Sequence, residues 1–128
     1  MSGITFHLTN TTKAKLPSLA FADMKDAVLG KKYELSLIIV GKKEIQKLNK
    51  EYRDINKPTD ILSFPLSESF GEIYINPEMT KIEAKKFSRS YENFFAFIVI
   101  HGLVHLKGFD HGSTMESMEI SFRKKFGV

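Results

Sequence analysis

An unbroken apolar run, Phe94-Phe95-Ala96-Phe97-Ile98-Val99-Ile100, dictates the centre of any fold this chain adopts. With Ser88 or Ser90 as its start and Gly108 as its stop, the segment through Leu106 predicts one long helix. A helix apolar on every face has no side to give to water, so it runs through the core. It is far shorter than the roughly 20 apolar residues that cross a bilayer. The run ends on His101, and one turn later comes His105. Residues four apart on a helix project from nearly the same side. The buried spine of the domain therefore delivers two imidazoles to one place.

The rest of the pattern alternates strands and helices. Ile4, Phe6 and Leu8 alternate with Thr5, His7 and Thr9, which predicts a half-buried strand with His7 outward. Ser18 to Leu29 predicts a first helix stopped by Gly30, and Tyr33 to Val40 a central strand. Lys42 to Tyr52 predicts a second helix with Ile45 and Leu48 inward. Ile61 to Phe64 and Glu72 to Ile75 predict two short strands joined through Pro65 and Gly71. Asn76-Pro77 has the form of a helix start. Ser113 and Glu116 form a capping-box pattern for a last helix. The expected fold is α+β: a small mixed four-stranded sheet packed with about five helices, the buried helix carrying the paired histidines.

At 128 residues and 42% hydrophobic content, the chain is sized for a single domain, 1–128, around one core. The start, Met1-Ser2-Gly3-Ile4-Thr5, lacks the shape of a signal peptide. With no cysteine, there are no disulfides and no thiolate ligands, so any metal sits on nitrogen or oxygen. A cytoplasmic protein with no membrane partner is the simplest expectation. The net charge of +4 is mild. Its placement is uneven: Lys42, Lys43, Lys47, Lys50, Arg53 and Lys57 crowd one segment. Lys81, Lys85, Lys86 and Arg89 crowd a second, and Arg123 to Lys125 a third. These clusters fit either solvated helix faces or phosphate-binding surfaces.

Three of the four histidines lie in His101-Gly102-Leu103-Val104-His105-Leu106-Lys107-Gly108-Phe109-Asp110-His111. Gly108 lets the chain turn back after the helix, bringing His111 toward the other two. Three imidazoles leave one tetrahedral position open, as catalytic zinc sites do and structural ones do not. Imidazole also suits nickel and copper. The spacing equals that of metzincin endopeptidases, but their general-base glutamate is replaced by Gly102. The glycine implies close substrate approach or tight packing on the sheet. Asp110 is either the carboxylate that orients a ligand histidine or the cap of the following turn.

A second constellation precedes it: Leu48-Asn49-Lys50-Glu51-Tyr52-Arg53, then Pro58-Thr59-Asp60-Ile61-Leu62-Ser63-Phe64-Pro65. Pro58 stiffens a turn, and Asp60 or Thr59 has backbone amides in reach. Together the two segments resemble the bacterial YbeY family of metal-dependent endoribonucleases. Members carry H-G-x-x-H-L-x-G-x-D-H, a segment like L-N-x-x-Y-R followed by P-T-D-V-L-S-F-P, and a strand like G-D-I. Here these are 101–111, 48–53, 58–65 and Gly71-Glu72-Ile73, in matching order over roughly residues 35 to 122. The chain departs from the family at Ile55-Asn56, often Lys-Asp, and at Glu72, often Asp.

The resemblance implies an endoribonuclease that cuts single-stranded RNA. It also implies a role in maturing the 3′ end of small-subunit ribosomal RNA and in ribosome quality control, with the ribosomal subunit as partner. By position, His101, His105 and His111 would ligate one zinc ion, and Arg53 matches an arginine thought to serve catalysis. A metal and a planar guanidinium both suit the charge that develops on a phosphate. The nucleophile, water on the metal or the RNA 2′-hydroxyl, stays open. Two other readings are a zinc-stabilised RNA-binding assembly factor without catalysis and a metzincin-like peptidase.

Overall fold

The computed structural model describes residues 4–108 and 112–128. Its elements run β1 (Phe6–Asn10), α1 (Phe21–Leu29), β2 (Glu34–Ile39), α2 (Lys42–Arg53), β3 (Ile61–Ser67), β4 (Phe70–Ile75), α3 (Pro77–Lys86), α4 (Tyr91–Leu106) and α5 (Ser113–Lys125). The strands lie in the order β1-β2-β4-β3. β1, β2 and β4 are parallel, and β3 is antiparallel to β4. This is the α+β fold with a mixed four-stranded sheet and five helices that the alternation predicts.

The all-apolar run behaves as its composition demands. Phe94, Phe95, Ala96, Ile98, Val99 and Ile100 are all buried, and α4 continues through buried Leu103 and Val104. Ser90 caps its start, the side chain accepting from the Asn93 amide. Lys107 ends it, and Gly108 follows at φ +105°, the left-handed conformation that glycine adopts without strain. α4 packs on one face of the sheet against Leu35, Leu37, Ile39, Ile73 and Ile75, with α1, α3 and α5 beside it. α2 covers the other face, where Ile45 packs with Val40 and Leu62. The helix start at Asn76-Pro77 forms as expected: the Asn76 side chain accepts from Met79 N, and its amide donates to the Val40 carbonyl.

Four local expectations change. α1 begins at Phe21 rather than Ser18, where its first buried side chain meets Phe95, ring centres 5.8 Å apart. Pro65 and Gly71 do not join β3 to β4 but lie within them, paired with one another. Proline is tolerated there because β3 is the edge strand and its register shifts between Pro65 and Ser67. Ser113 and Glu116 form no capping box. Glu116 N bonds the Gly112 carbonyl, so Ser113 is already inside α5 and Gly112 holds the cap position.

The fourth is the half-buried alternation expected of Ile4, Phe6 and Leu8: on edge strand β1, Phe6 packs against the core while Ile4 and Leu8 are exposed. Lys25 of α1 carries a charge into the core. It is fully buried. Its ammonium donates to the carbonyls of Gly30, Lys31 and Tyr33 at 3.2, 3.2 and 2.9 Å, and lies 2.7 Å from the Asp26 carboxylate. A buried charge persists only when so satisfied, and here it fastens the turn between α1 and β2.

Candidate active site

α4 carries His101 and His105 to one wall of a cavity of about 600 Å³. Tyr52 and Arg53 from the end of α2, Thr59 and Asp60 from the following loop, and β3 residues Ile61 to Pro65 form the other walls. Two stretches far apart in sequence thus share one concavity. The imidazole rings are 4.7 Å apart, centre to centre, and nearly perpendicular at 87°. Helical spacing alone predicts this proximity.

His101 is oriented from outside the motif. Its Nδ1 is paired with the carboxylate of Glu119 on α5. With Nδ1 donating to that carboxylate, Nε2 is the ring nitrogen that carries the lone pair. A carboxylate behind a histidine in this way fixes tautomer and ring direction, as it does for histidines that ligate metals. The nitrogen-only pair and its carboxylate support fit a zinc-type ion. Among the described residues no group of three His, Cys, Asp or Glu side chains is gathered closely enough to hold one. The third expected ligand, His111, and its neighbour Asp110 lie outside the described residues.

Glu119 escaped sequence reasoning, and its signal is a charge on an apolar stripe. Met115 is buried, Met118 and Phe122 pack against the core, and Glu119 is itself only 9% exposed. A carboxylate at that register is buried for a partner.

Gly102 resolves to packing. A Cβ there would stand 2.8 Å from Ile61 Cδ1, 2.9 Å from Ser63 Oγ and 3.2 Å from Ile73 Cδ1. The position faces the sheet, so α4 approaches β3 and β4 closely where it carries the two histidines. A glutamate in the metzincin position would run into the strands.

Arg53 ends α2 and is exposed on the cavity rim. The turn after it is built by Asn49, whose side chain donates to the Lys57 carbonyl at 2.9 Å. Asp54 caps the helix in the left-handed conformation, φ 56°. The Asn of the L-N-x-x-Y-R segment therefore shapes the loop that sets Arg53 and Asp60 on one cavity. Asp60 accepts from the Ile61 amide and from Thr59. Burial, then the charge of Glu83, raises its carboxyl above the ordinary value despite those bonds. His7 is exposed on edge strand β1, near Glu34 and apart from these walls.

A second hollow of about 300 Å³ adjoins the first through Tyr52, Phe64 and Pro65. Tyr52 leans on Phe64 at 5.0 Å, and Phe64 meets Tyr74 edge-on at 5.7 Å.

A model of the family described as Endoribonuclease YbeY matches residues 6–126. An Endoribonuclease YbeY of Aliarcobacter butzleri is 40% identical over 110 residues, 81% of this chain and 77% of that one. One of Thermotoga petrophila is 36% identical over 121 residues, 93% of this chain and 77% of that one. The solution structure of a Thermotoga maritima protein shares the fold with TM-score 0.64 at 24% identity, covering 94% and 88% of the two chains.

Proposed function

The chain belongs to the Endoribonuclease YbeY family, and from that premise we propose that it is a zinc-dependent endoribonuclease specific for single-stranded RNA. Its task is maturation of the 3′ end of small-subunit ribosomal RNA and ribosome quality control in the cytoplasm, with the ribosomal subunit as partner. The observation that carries this reading is the meeting of Arg53, Asp60, His101 and His105 on one open cavity.

His101, His105 and His111 hold the metal in this proposal. One zinc ion so held supplies a Lewis acid toward a phosphate oxygen. Glu119 keeps the His101 ring in the tautomer that ligation needs. Arg53, on the rim, grips the phosphate through its planar fork and offsets charge that grows on the equatorial oxygens. Among the described residues that line the cavity Asp60 is the carboxylate, and its raised affinity for a proton suits a group that accepts and returns one.

Gly102 weighs against the peptidase reading, since the position of the peptidase base is filled by the sheet. The test is Arg53→Ala, assayed on single-stranded RNA alongside zinc content. Zinc should remain bound while cleavage falls by about 100-fold or more; cleavage at the wild-type rate removes Arg53 from the mechanism. A folded His105→Ala protein that still supports ribosomal RNA maturation would favour the assembly-factor reading instead.

A further inference from the structure

The stripe of α4 that carries His105 and His101 continues, one turn earlier, to Phe97. α5 runs alongside in the opposite sense: Glu119 pairs with His101, and Arg123, four residues on, lies over Phe97. The guanidinium carbon of Arg123 is 4.6 Å from the centre of the Phe97 ring. That of Arg89, from the turn between α3 and α4, is 4.6 Å from the same centre. Among the described residues neither arginine is in a salt bridge, and Arg89 donates to the side-chain oxygen of Asn93. Both are half-buried, and Lys85 of α3 and Lys124 and Lys125 of α5 are exposed. Phe97 stacks on Phe94 at 5.5 Å and 11°, and Phe94 on Phe87 at 5.4 Å and 16°. Phe87 is 58% exposed.

Two guanidinium groups therefore pack against one ring, and among the described residues neither has a carboxylate within salt-bridge distance. An anion offsets the positive charge gathered at that ring, and planar forks suit phosphate oxygens. The exposed ring of Phe87 adds a face on which an unpaired base stacks. An acidic polypeptide would meet the charge but leave that face unused. We propose that Arg89 and Arg123, seated on Phe97, form a second phosphate clamp. It holds the RNA strand one helical turn along α4 from the cavity where the scissile phosphate lies. This rests on the endoribonuclease reading, and it assigns that site a substrate longer than the nucleotides at the cleavage point.

The double variant R89Q/R123Q is titrated with fluorescent single-stranded RNAs of increasing length over a salt series, with circular dichroism as the check of folding. For long RNAs, affinity should fall at least ten-fold. The slope of log affinity against log salt should shrink by about 0.7 for each phosphate that the protein no longer neutralises. R89K/R123K should keep most of the salt slope while losing part of the affinity. In cleavage assays the loss should fall on KM rather than kcat, and be larger for long RNAs than for short ones. Should the glutamine pair not fold, R123E alone reads the same salt slope. A folded variant with wild-type affinity and slope overturns the clamp, as does one that loses polyglutamate binding yet keeps RNA. Wild-type protein that binds RNA without cutting it would fail the endoribonuclease reading alone, because the binding titrations still decide the clamp.

Discussion

Glutamate at position 102 would complete the zinc-peptidase signature and would have nowhere to go. Even a Cβ there presses on Ile61, Ser63 and Ile73. A carboxylate forced between α4 and the strands is a buried charge with no partner. We expect Gly102→Glu to lose about 3–5 kcal/mol of unfolding free energy, read by urea denaturation; wild-type stability would mean the helix is not seated as closely as described. Asp60 offers a test of opposite sign. Burial and Glu83 raise its native pKa above the unfolded value, so the native state binds this proton more tightly. The stability it contributes is present below the ordinary Asp range and is lost as pH rises through the raised native value. Asp60→Asn should therefore be more stable than wild type at neutral pH, with the difference disappearing in acid. Thermal melts across that range decide it, and a gap that widens in acid would contradict the sign.

At the scale of elements, the candidate site depends on α5 as much as on α4. α4 supplies both imidazoles, but α5 supplies the carboxylate that orients one of them. Glu119→Gln keeps the shape and removes the charge. Zinc affinity should drop about 10- to 100-fold, measured by competition with a chromophoric chelator, while the far-ultraviolet helix signal stays unchanged. Affinity equal to wild type would reduce the pair to a packing contact. α2 contributes differently. Its stripe of Ile45 and Leu48 anchors it to the sheet, and Asn49 folds the loop beyond it. Arg53 and Asp60 thereby reach the same cavity from opposite ends of one short connection.

For the whole molecule, binding of zinc only to the folded state should raise stability by about 2.7 kcal/mol at free metal one hundred times its Kd. Melting curves with zinc and after chelation measure this, and coincident curves would argue against a specific site. Much of the architecture is legible in the chain itself. The apolar run of α4, the Asn-Pro start of α3 and the four-residue spacing of the histidines are patterns between near neighbours in the chain. The backbone periods of 3.6 and 2 convert such patterns directly into faces. The likeness to the Endoribonuclease YbeY family is carried by the same short segments. What tertiary structure alone decided involves residues far apart in sequence. Glu119 finds His101 only because α5 folds back along α4. Gly102 meets Ile61 and Ser63 only because β3 passes beneath it. Pro65 is admitted to a strand only because that strand is the edge. Local grammar fixes which way a side chain points from its own helix or strand; which partner it meets there depends on how the elements pack together, and no periodicity encodes that.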